Sequence, residues 1–157
     1  MIYRSNMKAL NILNEMAFER LCAISTMPRH TIPKPKFSDN SANNLTKAII
    51  KYIELMGYQA ERISNTGRYV DNKKTFKNIQ GQTIQIGSGQ YIPGTGTKGT
   101  ADISATIKGK SVKIEVKFGK DRQSEAQKEY QLTIERSGGI YYIAKDFETF
   151  YNFFQTL

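Results

Sequence analysis

Two short runs in the second half of the chain constrain its fold more than any other feature. From Ala101 to Lys108, Ala101, Ile103, Ala105 and Ile107 alternate with Asp102, Ser104, Thr106 and Lys108. From Ser111 to Phe118, Val112, Ile114, Val116 and Phe118 alternate with Lys113, Glu115 and Lys117. A period of two is that of a β-strand with one buried face, and the intervening Gly109-Lys110 suits a two-residue hairpin turn with glycine first. Such a turn pairs Lys108 with Ser111, which sets Asp102 opposite Lys117 and Glu115 opposite Ser104, one diagonal step from Asp102. Alternation and pairing agree in putting Asp102, Glu115 and Lys117 on one face of the hairpin, expected to be partly solvated.

The remaining elements follow from periodicity and punctuation. Leu10, Leu13, Ala17 and Leu21 recur at helical spacing, predicting an amphipathic helix over roughly 6–25 that packs on the main domain or on a second subunit. Pro28, Pro33 and Pro35 mark the linker after it. The expected division is therefore 1–43, helix and linker, and 44–157, main domain. Leu45, Ile49, Ile53 and Met56 predict a helix starting near Ser41–Asn44 and stopping at Gly57. Tyr58–Ser64 reads as a strand, Asn65, Thr66 and Gly67 as a turn, Thr83–Ile86 as a strand, and Gly87–Thr100 as a long glycine-rich loop. Ser124-Glu125-Ala126-Gln127 is a capping-box pattern opening a helix to about Arg136. A short strand over 140–144 and a helix over 146–154, with Phe147, Phe150, Tyr151 and Phe154 toward the core, close the chain. The expected class is α/β, a small mixed β-sheet flanked by helices with an N-terminal helical extension.

Two carboxylates converging beside a lysine make a hard-oxygen site suited to Mg2+ or Mn2+. The bland alternative is a cross-hairpin ion pair, which contributes little to stability. Lys98, before Asp102, and Lys120 and Arg122, after Lys117, are placed to meet phosphates or to form a solvated rim. The 157-residue chain carries a net charge of +9, of which +6 falls in residues 60–130, so a polyanion such as DNA is the expected partner. One cysteine, Cys22, and one histidine, His30, are too few for a zinc site or a Cys/His catalytic pair. Gly94–Thr100 lacks the order of a phosphate-binding Walker loop and leads into a strand, so no nucleotide cofactor is expected. Asn11, Asn14, Glu15 and Glu19 interrupt the N-terminal apolar residues, so neither a signal peptide nor a membrane span is expected, and a cytoplasmic location is the default.

Gly99-Thr100-Ala101-Asp102, then a hairpin, then Ile114-Glu115-Val116-Lys117, resembles the core signature of the PD-(D/E)xK nuclease superfamily. The wider match, with Arg62–Gly67, Ser124–Gln127 and Gly138-Gly139, is similar to its VRR-NUC and Holliday-junction-resolvase-like branch and covers roughly 44–144. The resemblance implies a restriction-endonuclease-like core and a Mg2+-dependent endonuclease acting on DNA, structure-selective for branched or junction substrates. It also implies metal held by Asp102, Glu115 and the Val116 carbonyl, with Lys117 catalytic and Gln127 flanking the site. From the residues alone, Gln127 is equally a capping-box side chain. The family often carries a glutamate near the start of its first helix, where this chain has Asn43 and Asn44, either of which could cap that helix. This departure leaves open a non-cleaving nucleic-acid-binding module or a subunit that needs a partner protein. Symmetric cutting of a junction would require two sites, most simply in a homodimer.

Overall fold

The computed structural model describes residues 8–64, 67–94 and 96–157. In chain order the elements are α1 (Ala9–Ile24), a 3-10 turn (Arg29–Thr31), α2 (Ala42–Leu55), β1 (Gln59–Arg62), β2 (Arg68–Asp71), β3 (Lys74–Lys77), β4 (Thr83–Ile86), β5 (Gly89–Ile92), β6 (Ile103–Ile107), β7 (Lys110–Val116), α3 (Glu125–Arg136), β8 (Ile140–Ala144) and α4 (Phe147–Thr156). They form two compact units, residues up to Ile63 together with Gly99–Leu157, and Ser64–Lys98.

The first unit is a small mixed α/β domain whose sheet runs β1-β6-β7-β8, with β1, β6 and β7 antiparallel and β7 parallel to β8. Joining parallel neighbours needs a crossover, and α3 supplies it. The hairpin turn is Lys108-Gly109, one position earlier than expected, with φ of 50° and 77°. Both turn residues thus take the left-handed region, a primed turn that matches strand twist and puts glycine second. Ile107 consequently pairs with Lys110 and Ile103 with Ile114. Lys113, rather than Glu115, faces Ser104. Moving the turn by one position shifts every pairing by two, so the faces are preserved.

Val112, Ile114 and Val116 of β7 and Ile103, Ala105 and Ile107 of β6 enter the core with Leu45, Ile49 and Ile53 of α2 and Phe147, Phe150 and Phe154 of α4. Tyr52 is the hub, meeting Phe147, Phe150, Tyr151 and Phe154 edge-on and accepting a 3.0 Å bond from Gln155 Nε2 at its hydroxyl. Helix α2 starts and stops as its sequence predicts: Ser41 Oγ accepts from the Asn44 amide, and Gly57 adopts φ 83° just beyond its end. Of the two routes open to α1, packing on the main domain is the one taken. Ala9 and Leu13 join the core, and the Ala9 amide donates to Glu148 Oε2 of α4 at 2.8 Å. The 25–41 segment is tied down by the Phe37 amide on Asn14 Oδ1 and the Phe147 amide on Asp39 Oδ2. The first two residues of the expected α1, Asn6 and Met7, and the expected turn residues Asn65 and Thr66 lie outside the described residues. Among the described residues, no helix is long and apolar enough to cross a membrane.

The second unit is a single two-stranded arm where a loop was expected over 87–100. Strand β5 pairs with β2 and β4 with β3, and Lys74 opposite Ile86 continues the register of Asp71 opposite Gly89. The glycines and Pro93 concealed β5 in the sequence. Its pairing partner is some twenty residues away, and its exposed side chains show no apolar alternation.

Replacing Tyr52 by alanine should cost about 3–5 kcal/mol, the usual range for deleting a buried aromatic ring. Tyr52→Phe should cost about 1 kcal/mol, through the lost Gln155 bond. Urea unfolding of the two variants measures both.

Candidate active site

The odd-numbered residues of β7 point away from the α2/α4 core toward α3, and there the sequence-predicted residues meet. Register brings Asp102 to the end of the β6–β7 ladder, beside Glu115. Its main-chain carbonyl accepts from the Ile63 amide at 2.8 Å, while its side-chain Oδ2 accepts from the Val116 amide at 2.9 Å. Val116 is thereby fixed between Glu115 and Lys117, and the half-buried Asp102 is anchored by the strand that carries both.

Glu115 and Lys117 are buried, at 2% and 7% exposure, so the expectation of a partly solvated face is corrected for these two. The helix α3 and Tyr141 of β8 cover that face. Lys117 Nζ lies 3.1 Å from Glu115 Oε1, 3.0 Å from Gln127 Oε1 and 3.5 Å from Asp121 Oδ2. Gln127 joins the two readings its sequence left open. Its Oε1 accepts from the Ser124 amide at 2.9 Å and its own amide donates to Ser124 Oγ, completing the capping box. The same Oε1 also receives Lys117, and Nε2 donates to Glu115 Oε1.

Among the described residues, two buried side-chain polar atoms make no well-formed hydrogen bond, Glu115 Oε2 and the Tyr141 hydroxyl, although the phenol lies close enough to Glu115 and Gln123 to interact with both. Both belong to this site. Leaving a buried polar group unsatisfied costs about 1–3 kcal/mol, and a buried ion pair such as Glu115–Lys117 repays the desolvation of its charges only when their remaining lone pairs are met. A hairpin ion pair serving stability alone does not account for that balance. Burial, then the Asp102 charge, raises the Glu115 pKa against the opposing effect of Lys117. Burial, reinforced by the Glu115 charge, pushes the Tyr141 phenol up to about 12.

A hard cation beside Glu115 Oε2 would answer both the missing hydrogen bond and the carboxylate repulsion. Among the described residues, no cluster of three or more His, Cys, Asp or Glu could hold a metal. Two carboxylates with a carbonyl and water nevertheless fit magnesium, which dehydrates reluctantly and usually takes one or two carboxylates.

Gly99 shows why a glycine stands three residues before Asp102. Its φ is 78°, and a Cβ there would lie 2.2 Å from the Ala126 carbonyl oxygen and 2.7 Å from the Gln127 amide nitrogen. The first turn of α3 rests against bare backbone. Neither Asn43 nor Asn44 caps α2. Asn43 Oδ1 accepts from Arg62 Nη1 at 2.7 Å, and Asn44 Nδ2 donates to Asn40 Oδ1 at 2.8 Å.

Lys120 and Arg122 are exposed on the segment from Lys117 to Ser124, and Lys98 is exposed at the end of the Ser64–Lys98 unit. Sequence reasoning missed Asp121 and Tyr141. Asp121 lies in an irregular segment, and Tyr141 approaches Glu115 only through the parallel β7–β8 pairing, so neither had a local signal. No family model and no curated protein sequence matches the chain.

Gly99→Ala should destabilise the protein by more than about 1 kcal/mol, because alanine is strained at positive φ and meets backbone here. Thermal melts check the loss, and amide chemical shifts should change most at Ser124–Gln127.

The Glu115 carboxyl should titrate by NMR, in chelator, above the ordinary glutamate value of 4.5. Asp102→Asn should move that midpoint down. Folded Glu115 keeps its proton to higher pH than unfolded Glu115, so stability should fall as pH rises from the ordinary value through the raised one. Asp102→Asn should flatten that fall.

Proposed function

We propose that the Asp102–Glu115–Lys117 cluster is the cleavage site of a magnesium-dependent endonuclease that hydrolyses DNA phosphodiester bonds. The observation that carries this reading is the buried Glu115 Oε2, which makes no well-formed hydrogen bond, next to Asp102, with Lys117 held on the opposite oxygen by Gln127. It is supported by the resemblance of the Gly99–Lys117 and Ser124–Gln127 motifs to PD-(D/E)xK nucleases of the VRR-NUC and junction-resolvase type. The order helix, strand, hairpin, helix, strand in the first unit agrees with the core which that resemblance implies.

On this reading Asp102, Glu115 and the Val116 carbonyl hold Mg2+, with Mn2+ able to substitute. The ion supplies Lewis-acid polarisation of a phosphodiester and makes water easier to ionise. Lys117 presents an ammonium where negative charge builds on the phosphoryl oxygens, and desolvation strengthens that interaction. Gln127 sets the Lys117 position, and Asp102, through the Val116 amide, sets the strand that bears both partners. Lys98, Lys120 and Arg122 contribute positive charge for the DNA backbone. The first turn of α2 carries no acidic residue, which favours chemistry at one metal rather than two. Branched or junction DNA is the proposed substrate, and paired cuts would come from a homodimer.

Purified protein should cut DNA with Mg2+ or Mn2+, poorly with Zn2+, and not in excess chelator. Asp102→Asn, Glu115→Gln and Lys117→Ala should each lower cleavage by roughly a hundredfold or more while retaining DNA binding. The Asp102→Asn, Glu115→Gln double variant should be little worse than either single, since residues holding one ion do not act additively. Full activity in chelator, or normal cutting by all three single variants, sinks the assignment. DNA binding by the wild-type chain without cleavage in any metal would leave a binding module.

A further inference from the structure

The Ser64–Lys98 arm serves no part of the cleavage chemistry, and its composition is unusual for a solvated hairpin. It carries Arg68, Lys73, Lys74, Lys77 and Lys98 against the single Asp71. Every residue of β3 and β4 is exposed, including Phe76, Ile84 and Ile86. Phe76 pairs with Ile84 and Lys74 with Ile86, so one face presents an apolar strip flanked by lysine. An isolated two-stranded hairpin is marginally stable in water, and a strip of this kind gains by being covered. The local excess of five cations over one anion selects a polyanion as the cover.

The arm is built to be stiff. Tyr69 lies across Gly89 and Tyr91 across Gly67, so close that a Cβ at either glycine would fall on the ring hydroxyl. At the tip, Asn78 Oδ1 accepts from the Gln80 and Gln82 amides at 3.0 and 2.8 Å, and Gly81 turns the chain at φ 78°. This cap leaves Ile79 fully exposed as the leading side chain. Dimensions narrow the choice of polyanion further. Two strands about 4.8 Å apart fit a major groove about 12 Å wide. Tyr69 and Tyr91 each lay one side of the ring over a glycine of the ribbon, and both rings stay largely exposed. Lysines near the strand edges discourage strand addition by another protein chain.

We propose that the Ser64–Lys98 arm is a duplex-DNA-binding ribbon that lies along the major groove, with Lys73, Lys74 and Lys77 on phosphates and Ile79 leading at the tip. The inference deepens the nuclease reading and rests on it for the choice of DNA as the polyanion, though not for any step of cleavage.

Its test is fluorescence anisotropy of the full-length chain in excess chelator, titrated onto a duplex of about two helical turns over a range of salt. The triple variant Lys73→Gln, Lys74→Gln, Lys77→Gln should weaken binding by about tenfold or more and reduce the log-log salt slope by about two to three. Ile79→Ser should weaken binding and leave the slope unchanged. Both variants should melt as the wild type does, because the replaced side chains are exposed. Wild-type affinity and slope in the triple variant would overturn the proposal. So would an arm-dependent loss seen on a single-stranded oligonucleotide or on phosphatidylserine vesicles while duplex binding is intact. Arm-dependent binding by a chain that cuts with no metal would sink the cleavage reading alone. Metal-dependent cutting with arm-independent binding would sink the arm proposal alone.

Discussion

The rest of the first unit depends on β7 being buried on both faces. It pairs with β6 on one side and β8 on the other, so its backbone polar groups are satisfied within the sheet. Val112, Ile114 and Val116 then enter an apolar core while Glu115 and Lys117 enter a polar enclosure under α3. The apolar face supplies the stabilisation, and each valine, isoleucine or phenylalanine side chain fully buried there contributes about 1.5–3 kcal/mol. The polar face draws on that stability, since a carboxylate removed from water is unfavourable unless its lone pairs are met. A strand anchored so firmly on one side can hold a poorly satisfied carboxylate in place on the other.

The polar face is organised by Gln127 and Gly99 rather than by the acids themselves. One side chain both starts helix α3 and bridges Glu115 to Lys117, so the position of the ammonium is tied to the helix terminus. Gly99 lets the opposite chain segment approach that terminus closely enough to bring Asp102 alongside. Coupling of this kind pre-organises a charged site before any ligand arrives, which is the condition under which fixed dipoles and charges act most strongly. It also explains why the capping and site roles of Gln127 are not alternatives.

The two compact units divide the physical work. The first concentrates apolar burial and one enclosed charge cluster. The second carries a large share of the basic excess on exposed strands with little core. Within it, tyrosines laid over glycines and an asparagine-capped tip are the local contacts that stand in for a core.

Local pattern by itself determined the hairpin, its two faces, helices α2, α3 and α4, the capping box and the candidate triad. Alternation and helical spacing report which side of an element is apolar whatever that element later packs against. The hairpin face survived even a misplaced turn, because shifting a two-residue turn by one position preserves parity. Only the tertiary structure decided that Asp102 sits beside Glu115, that α1 shares the core, and that β2–β5 form one arm. It alone put Tyr141 and Asp121 at the site and buried Glu115 and Lys117. Those features depend on distances between segments far apart in sequence. Depth of burial is set by what covers a face, and here the cover comes from α3 and β8, of which the sequence reading had placed only Gln127 at the site.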